Sequence, residues 1–556
     1  MEARIRAIVE EELAKKGATN VAFAVEYPGD MKHGDFAVNA ALAASKELGV
    51  NPRELAEELA SALQKGLGDD ASSVSVAGPG FINITCAGEY LARTIASVND
   101  DWGKGDARIG ERVSIEYSCP NPFKEMHIGH LMSTVIGESY SRLVENAGAV
   151  VIRDSYGGDV GPHVAKGIWG LQKKGITEPA TAKEIGSAYE QGGNAYEASE
   201  EAKAEIDALN VALYRALAKD VSEQTDEERA LLELWRKGRD AALGAFYDIY
   251  RALDTKFDYF IFESETTPIG MEVVADGIEK GVFAKSEGAI VYHGETKGLH
   301  TLVFITSRGT PTYETKEMGL AFLREQRIPN DSVYILTGME QIGHFKVFFA
   351  AIEEMAPLIA AKTHHVPHGL LQLTTGKMSS RKGNVLTAAG VINEMVEKAL
   401  LKNADPLIAE QVAIGALKYM ILRASPGSNV IFDPEKSLSL EGDSGPYLQY
   451  AYVRATSILG QSTVSPSTDT PPAEPYTIER LIARFPKVAA RAEAERAPQY
   501  IATYLTQLAG EWNGFYAKER ILGGDGEAYK LAVARAFSTT MKHGLSLLGI
   551  QAPERM

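Results

Sequence analysis

Between residues 113 and 154 the apolar positions change period twice. Val113, Ile115 and Tyr117 fall two apart, the alternation of a strand with one buried face. After the turn-forming stretch SCPNPFKEM the spacing becomes helical: Met132, Ile136 and Leu143 share one stripe, with Leu131, Val135 and Val144 beside it. AVVIRD (149–154) reads as a second apolar strand. Strand, loop, helix, strand is how a doubly wound parallel sheet of the Rossmann type begins. Further strands are predicted at 289–292, 301–306 and 332–337.

Residues 1–105 read as a small α/β unit. Its first helix carries Ile5, Ile8, Val9 and Leu13 on one side. A second helix starts with Asn51 as N-cap, Pro52 in the first position and Glu54 in the third. Val50 and Leu55 are spaced for a hydrophobic staple, and Leu55, Leu59 and Leu63 form the buried stripe. The strand-like SVSVAGPGFINITC turns at 78–80. Residues 163–255 predict acidic helices inserted into the sheet domain, with YEASEEAKAEIDALNVALYRALAKD as a solvated helix. From about 391 onward the pattern is helical, apart from a Ser/Thr/Pro-rich loop at 462–475. The reading is therefore three units: 1–105, 106–390 with its insertion, and an all-helical 391–556.

With 45% hydrophobic and 24% charged residues, the chain has a globular balance. Two cysteines, Cys86 and Cys119, exclude a disulfide framework and a cysteine zinc site. No apolar run approaches a membrane span, and the acidic N-terminus does not fit a signal peptide, so a cytoplasmic enzyme is expected. A net charge of −17 means that any nucleic-acid face must be a local, salt-sensitive basic patch.

The candidate chemistry begins where the helix after the first strand starts. His127 and His130 stand at i and i+3 there, over free N–H groups suited to a phosphate. Gly129 between them leaves room for a flat ligand to approach the backbone. Some 250 residues later, Lys377-Met378-Ser379-Ser380-Arg381-Lys382-Gly383-Asn384 offers three cations and two hydroxyls beside glycine, a set that suits a triphosphate. GGDVGPH (157–163) has glycines without dinucleotide-fingerprint spacing and reads as a site loop at a strand's end. His364, His365 and His368 invite a metal reading, but no cysteine or clear acidic ligand accompanies them, and no metal site is expected.

HIGH and KMSS, in this order at the two ends of an α/β domain, resemble the signatures of class I aminoacyl-tRNA synthetases. IEYSCPNPFKEMHIGHL, GTPTYETKE, LSLEGDSGPYLQYAYVRATSIL and the terminal LLGIQAPERM resemble blocks of the arginyl-tRNA synthetase family over nearly the whole chain. MKHGDFAVNAAL and GPGFINI resemble that family's N-terminal domain, which touches the tRNA elbow. The resemblance implies an arginine–tRNA ligase that uses ATP, with Mg²⁺ accompanying it, and whose partners are L-arginine and tRNA-Arg. Neither DNA nor a membrane is an expected partner, and the chain is expected to act as a monomer. Carried over, Glu116, Cys119, Asn121, His127, Tyr313, Glu317 and Gln341 would line the arginine pocket. Lys124, His127, Gly129, His130, Lys377, Met378, Ser379, Ser380 and Lys382 would serve ATP and its phosphates. Asn39, Phe81, Tyr447, Gln449 and Tyr450 would touch tRNA, the last three from the helical anticodon-binding domain. Cys119 departs from a family Ser, and Glu317 from the Asp that reads the guanidinium. No editing domain is signalled, as expected for a site that discriminates by buried polar pairs.

Overall fold

The computed structural model describes residues 1–179, 181–373 and 387–556. At its centre is a five-stranded, wholly parallel sheet. Its spatial order is Thr363–His368, Ser332–Gly338, Arg112–Glu116, Val150–Gly157, Tyr259–Phe262. The chain starts in the middle of this sheet and builds outward in both directions. The order therefore reverses beside Arg112–Glu116, and a crevice opens past the carboxyl ends of that strand and of Ser332–Gly338.

Two of the five strands are absent from the apolar pattern. Tyr259–Phe262 has only four residues and begins with an exposed Tyr259, too short to show a period. Thr363–His368 is rich in histidine, yet it pairs in register with Ser332–Gly338. The strands expected at 289–292 and 301–306 form instead, with Ala284–Ser286, a separate three-stranded antiparallel sheet.

The insertion is a packed helical bundle: Pro162–Lys173, Ala182–Ala198, Glu200–Leu217 and Asp226–Ala252. The stretch read as one solvated helix breaks at Ser199, whose hydroxyl caps the next helix through Ala202 N at 3.2 Å. Ile206, Leu213 and Ala216 are then buried. The N-terminal unit is a four-stranded antiparallel sheet covered by helices. Asn51 caps its helix as expected, accepting from Arg53 N at 2.8 Å, but Val50 stays 45% exposed instead of closing a staple. The cut expected between 390 and 391 falls inside helix Ala388–Leu400, and Val430–Phe432 pairs in parallel with Leu371–Leu373.

Helix Ile128–Asn146 is held at its rear by a buried ionic hub. Glu138 accepts from Tyr117 Oη at 2.7 Å, Thr255 Oγ1 at 2.8 Å, Arg153 Nε at 3.0 Å and Arg142 Nε at 2.7 Å. The carbonyls near the C-terminus are gripped in turn: Ser546 by Arg142, Leu547 by Ser139, Gln551 by Gln449 and Gly549 by Lys418. Lys418 is 2% exposed and also donates to Leu253 O at 2.6 Å. Among the described residues it has no carboxylate partner.

Burial, reinforced by Arg142, lowers the Lys418 ammonium to about 7 from 10.5. Between those values the unfolded chain binds the extra proton, so the stability attributable to Lys418 rises with pH across that window. Urea midpoints at pH about 7 and about 9 should therefore rise more for the wild type than for Lys418→Met. Parallel pH profiles for the two proteins would remove Lys418 from this role.

Candidate active site

The crevice at the switch in strand order encloses about 610 Å³. Its floor is the start of helix Ile128–Asn146. His127, the N-cap, accepts from Gly129 N through Nδ1 at 3.0 Å, and His130 Nδ1 accepts from His127 N at 3.3 Å. The two rings stack with centroids 3.7 Å apart. Burial, with the Lys124 charge nearby, lowers the pKa of both, His130 furthest, so both rings are neutral. A ring nitrogen that accepts an N–H must be bare, which leaves the single proton of each ring on Nε2. The helix start thus carries two N–H donors on stacked rings, their tautomers fixed by backbone. A Cβ at position 129 would lie 2.8 Å from His127 Cε1, so only glycine leaves this stack undisturbed.

The loop before the helix is strained. Ser118, Cys119 and Phe123 all have positive φ, at 72°, 52° and 68°. Bonds on both sides hold it. Ser118 N donates to Ser133 Oγ at 3.1 Å, Thr134 Oγ1 to Ser118 Oγ at 2.8 Å, and Tyr250 Oη lies 2.9 Å from Ser118 Oγ. Phe123 is wholly buried in the core of the helical insertion. Asn121 Oδ1 accepts from Gly158 N at 2.9 Å, tying this loop to GGDVGPH, whose Gly158 lines the cleft as the loop reading expects.

Three carboxylates gather on the other side of the cleft. Glu116 pairs with Arg324, which also binds Asp154 Oδ2 at 2.9 Å. Glu263 pairs with Lys316 at 2.6 Å. Glu317 is 2% exposed, and its Oε1 has no hydrogen-bond partner among the described residues. Burial and the neighbouring Glu116 charge push its carboxyl up to about 8, so it is largely protonated at neutral pH. Cys119 Sγ lies 3.6 Å from Glu116 Oε1, and burial raises its thiol well above the ordinary value. Tyr313, 39% exposed, opens helix Tyr313–Arg327 with its ring 4.9 Å from His344.

Glu116, Cys119, Asn121, His127, Gly129, His130, Tyr313 and Gln341 all line this one cleft. Two expected residues do not. Glu317 lies beneath its surface, and Lys124 places its ammonium over the Tyr189 ring at 5.2 Å, toward the insertion. Lys377, Met378, Ser379, Ser380 and Lys382 lie outside the described residues. The residues flanking that segment are at the site: Leu370, Leu371 and Gln372 line the cleft, while Thr387 bridges to His127 and Ala388 N donates to Met126 O at 2.7 Å.

Sequence reasoning missed Glu263 and Glu340 and named His368 only within a histidine cluster, yet all three line the cleft. Glu263 follows the four-residue strand that had no period, so its only signal was an acidic residue after a short apolar run. The three histidines diverge along their strand. His364 lies against Tyr334, His365 meets Thr337 Oγ1 at 2.7 Å, and His368 donates to Gly369 O at 2.7 Å.

Of the residues expected at tRNA, Phe81 is 42% exposed. Tyr450 rims a second cleft of about 520 Å³ with Arg454, Tyr516 and Arg520. Asn39 spends its Oδ1 on Ala24 N at 2.7 Å, and the Tyr447 hydroxyl accepts from Asn513 at 3.0 Å. Gln449 is fully buried, its amide donating to Gln411 O and Gln551 O. It braces the helices and cannot touch a nucleic acid directly.

Among the described residues no helix is long and apolar enough to cross a membrane. The family model for the catalytic domain of class I (R) tRNA synthetases matches residues 95–433. The DALR anticodon binding domain matches 448–556, and the arginyl tRNA synthetase N-terminal domain matches 3–86. The arginine–tRNA ligase of Levilactobacillus brevis is 32% identical over 96% of each chain. That of Flavobacterium psychrophilum is 30% identical over 91% of this chain and 90% of its own. The Thermus thermophilus arginyl-tRNA synthetase structure shares the fold with a TM-score of 0.79 at 24% identity, over 99% of both chains. The Plasmodium falciparum one does so at 0.80 and 21%, over 100% of this chain and 99% of its own. A catalytic-domain match over more than half its length, on a fold with this cleft, means that the chain belongs to the class I arginyl-tRNA synthetases.

Proposed function

We propose that this chain is an arginine–tRNA ligase: it activates L-arginine with ATP to arginyl-adenylate and pyrophosphate, then passes the arginine to the terminal ribose of tRNA-Arg. The observation that carries the reading is one cleft with two Nε2–H donors at one end and, beneath the other, a buried carboxylate with one oxygen, Oε1, without a hydrogen-bond partner among the described residues. A guanidinium is a planar fork that a carboxylate grips bidentately, and it would draw Glu317 into its charged form. Glu116 and Glu263, held in place by Arg324 and Lys316, would flank it, and Tyr313 would supply an aromatic wall.

At the other end His127 and His130 would donate to phosphate oxygens as the arginine carboxylate attacks the α-phosphorus and pyrophosphate leaves. No protein nucleophile is needed; the chain positions the reactants and stabilises charge growing on oxygen. Mg²⁺ would travel with the triphosphate. Lys377 and Lys382 would join from the 374–386 segment, a role supported by its flanking residues at the cleft. Phe81 and the Tyr450–Arg454–Tyr516 cleft would meet the elbow and the anticodon end of tRNA, since exposed aromatics beside Arg suit unpaired bases.

Arginine-dependent exchange of pyrophosphate into ATP, measured with and without tRNA-Arg, tests the assignment; no exchange in either condition would refute it. His130→Ala should lower exchange by roughly 10²–10³-fold, the usual cost of one lost oxyanion donor. Near-wild-type exchange would exclude His130 from the mechanism. Because burial and the Glu116 charge push the Glu317 carboxyl up to about 8 in the free site, arginine binding should tighten as pH rises from about 7 to about 8.5. The same titration on Glu317→Gln should give weak, pH-independent binding. A variant whose pH profile matches the wild type would show that another group reads the guanidinium.

A further inference from the structure

We infer that Ser428 and Asn429, packed from outside the cleft against Gly369 and Leu370 of its wall, are positioning residues for the nucleotide half of the reaction. The inference rests on the ATP assignment above. Gly369, Leu370, Leu371 and Gln372 form that wall. Behind it, Leu371, Gln372 and Leu373 pair in parallel with Val430, Ile431 and Phe432. Leu370 N donates to Asn429 Oδ1 at 2.9 Å, and Val430 N donates to Leu370 O at 2.9 Å.

The closest approach is backbone to backbone. A Cβ on Gly369 would lie 2.0 Å from Ser428 O and 2.4 Å from its carbonyl carbon. Gly369 is not at positive φ, so glycine is required here by the contact and not by backbone conformation. No side chain can rotate to relieve such an overlap; the two strands must part. The residues in contact follow helix Pro406–Leu422, whose Lys418 is tied to Gly549 O near the C-terminus. The wall beside the ATP-facing histidines is therefore held from the helical side of the molecule. The arginine side has independent supports in Arg324 and Lys316.

That separation makes the inference testable by comparing the two substrates in the pyrophosphate exchange assay. Gly369→Ala should raise the KM for ATP by about tenfold or more, as overpacking against rigid backbone does. The KM for arginine should stay within about twofold of wild type. Asn429→Ala, which only removes the acceptor for Leu370 N, should raise the KM for ATP about threefold. Asn429→Asp keeps an acceptor oxygen in the same place and should restore the wild-type value. Thermal melts of all three variants, with unfolded protein excluded from the assay, keep stability apart from binding. Equal rises in both KM values, no change for Gly369→Ala, or an Asn429→Asp no better than Asn429→Ala would overturn the inference. Absence of exchange in the wild type would instead strike the ATP assignment.

Discussion

The two hydrogen bonds that pin His127 and His130 to the first turn of helix Ile128–Asn146 settle the chemistry of one half of the cleft. They fix the tautomers, and burial keeps the rings neutral, so each offers a donor without adding a charge. A neutral donor suits a phosphate whose charge changes during the reaction, because it strengthens with the negative charge that develops. This arrangement holds only while the helix itself stays in place. The Glu138 hub at its rear, and the carbonyls of 546–551 that its neighbours grip, supply that anchorage.

The other half of the cleft depends on charge placed deliberately out of balance. Glu263 pairs with Lys316 and Glu116 shares Arg324 with Asp154, whereas Glu317 Oε1 has no hydrogen-bond partner among the described residues. A buried carboxylate in that position stays protonated until a cation arrives. The protein is acidic overall, at −17, so this local arrangement and not the net charge sets what binds.

Much of this was legible in the chain. The strand Arg112–Glu116 and the helix after it follow from spacing, and the Asn51-Pro52 helix start follows from capping chemistry. HIGH and the blocks around it brought eight expected residues into one cleft. The failures share a cause: period needs length and contrast. Tyr259–Phe262 is too short to show one, and Glu263 went unseen with it. Thr363–His368 has too many polar residues, because neighbouring strands and Phe345 take up its histidines. Gln449 sits in an aromatic, tyrosine-rich stretch that suggests a nucleic-acid face, yet the helix turns it inward onto two carbonyls. Lys124 lays its ammonium over the Tyr189 ring of the insertion while its charge still acts on His127 and His130, a contact that its neighbours in the sequence do not show. Facts of this kind belong to tertiary contact and leave no trace in local pattern.

The central claim is that one cleft joins ATP chemistry to recognition of a planar cation. Citrulline has almost the same shape as arginine but an uncharged side chain, so the most direct measurement is kcat/KM for the two in tRNA-Arg aminoacylation. A site built on a buried carboxylate should favour arginine by roughly 10⁴-fold or more. Comparable charging with citrulline would mean that shape, and not the charge on Glu317 and its neighbours, selects the substrate.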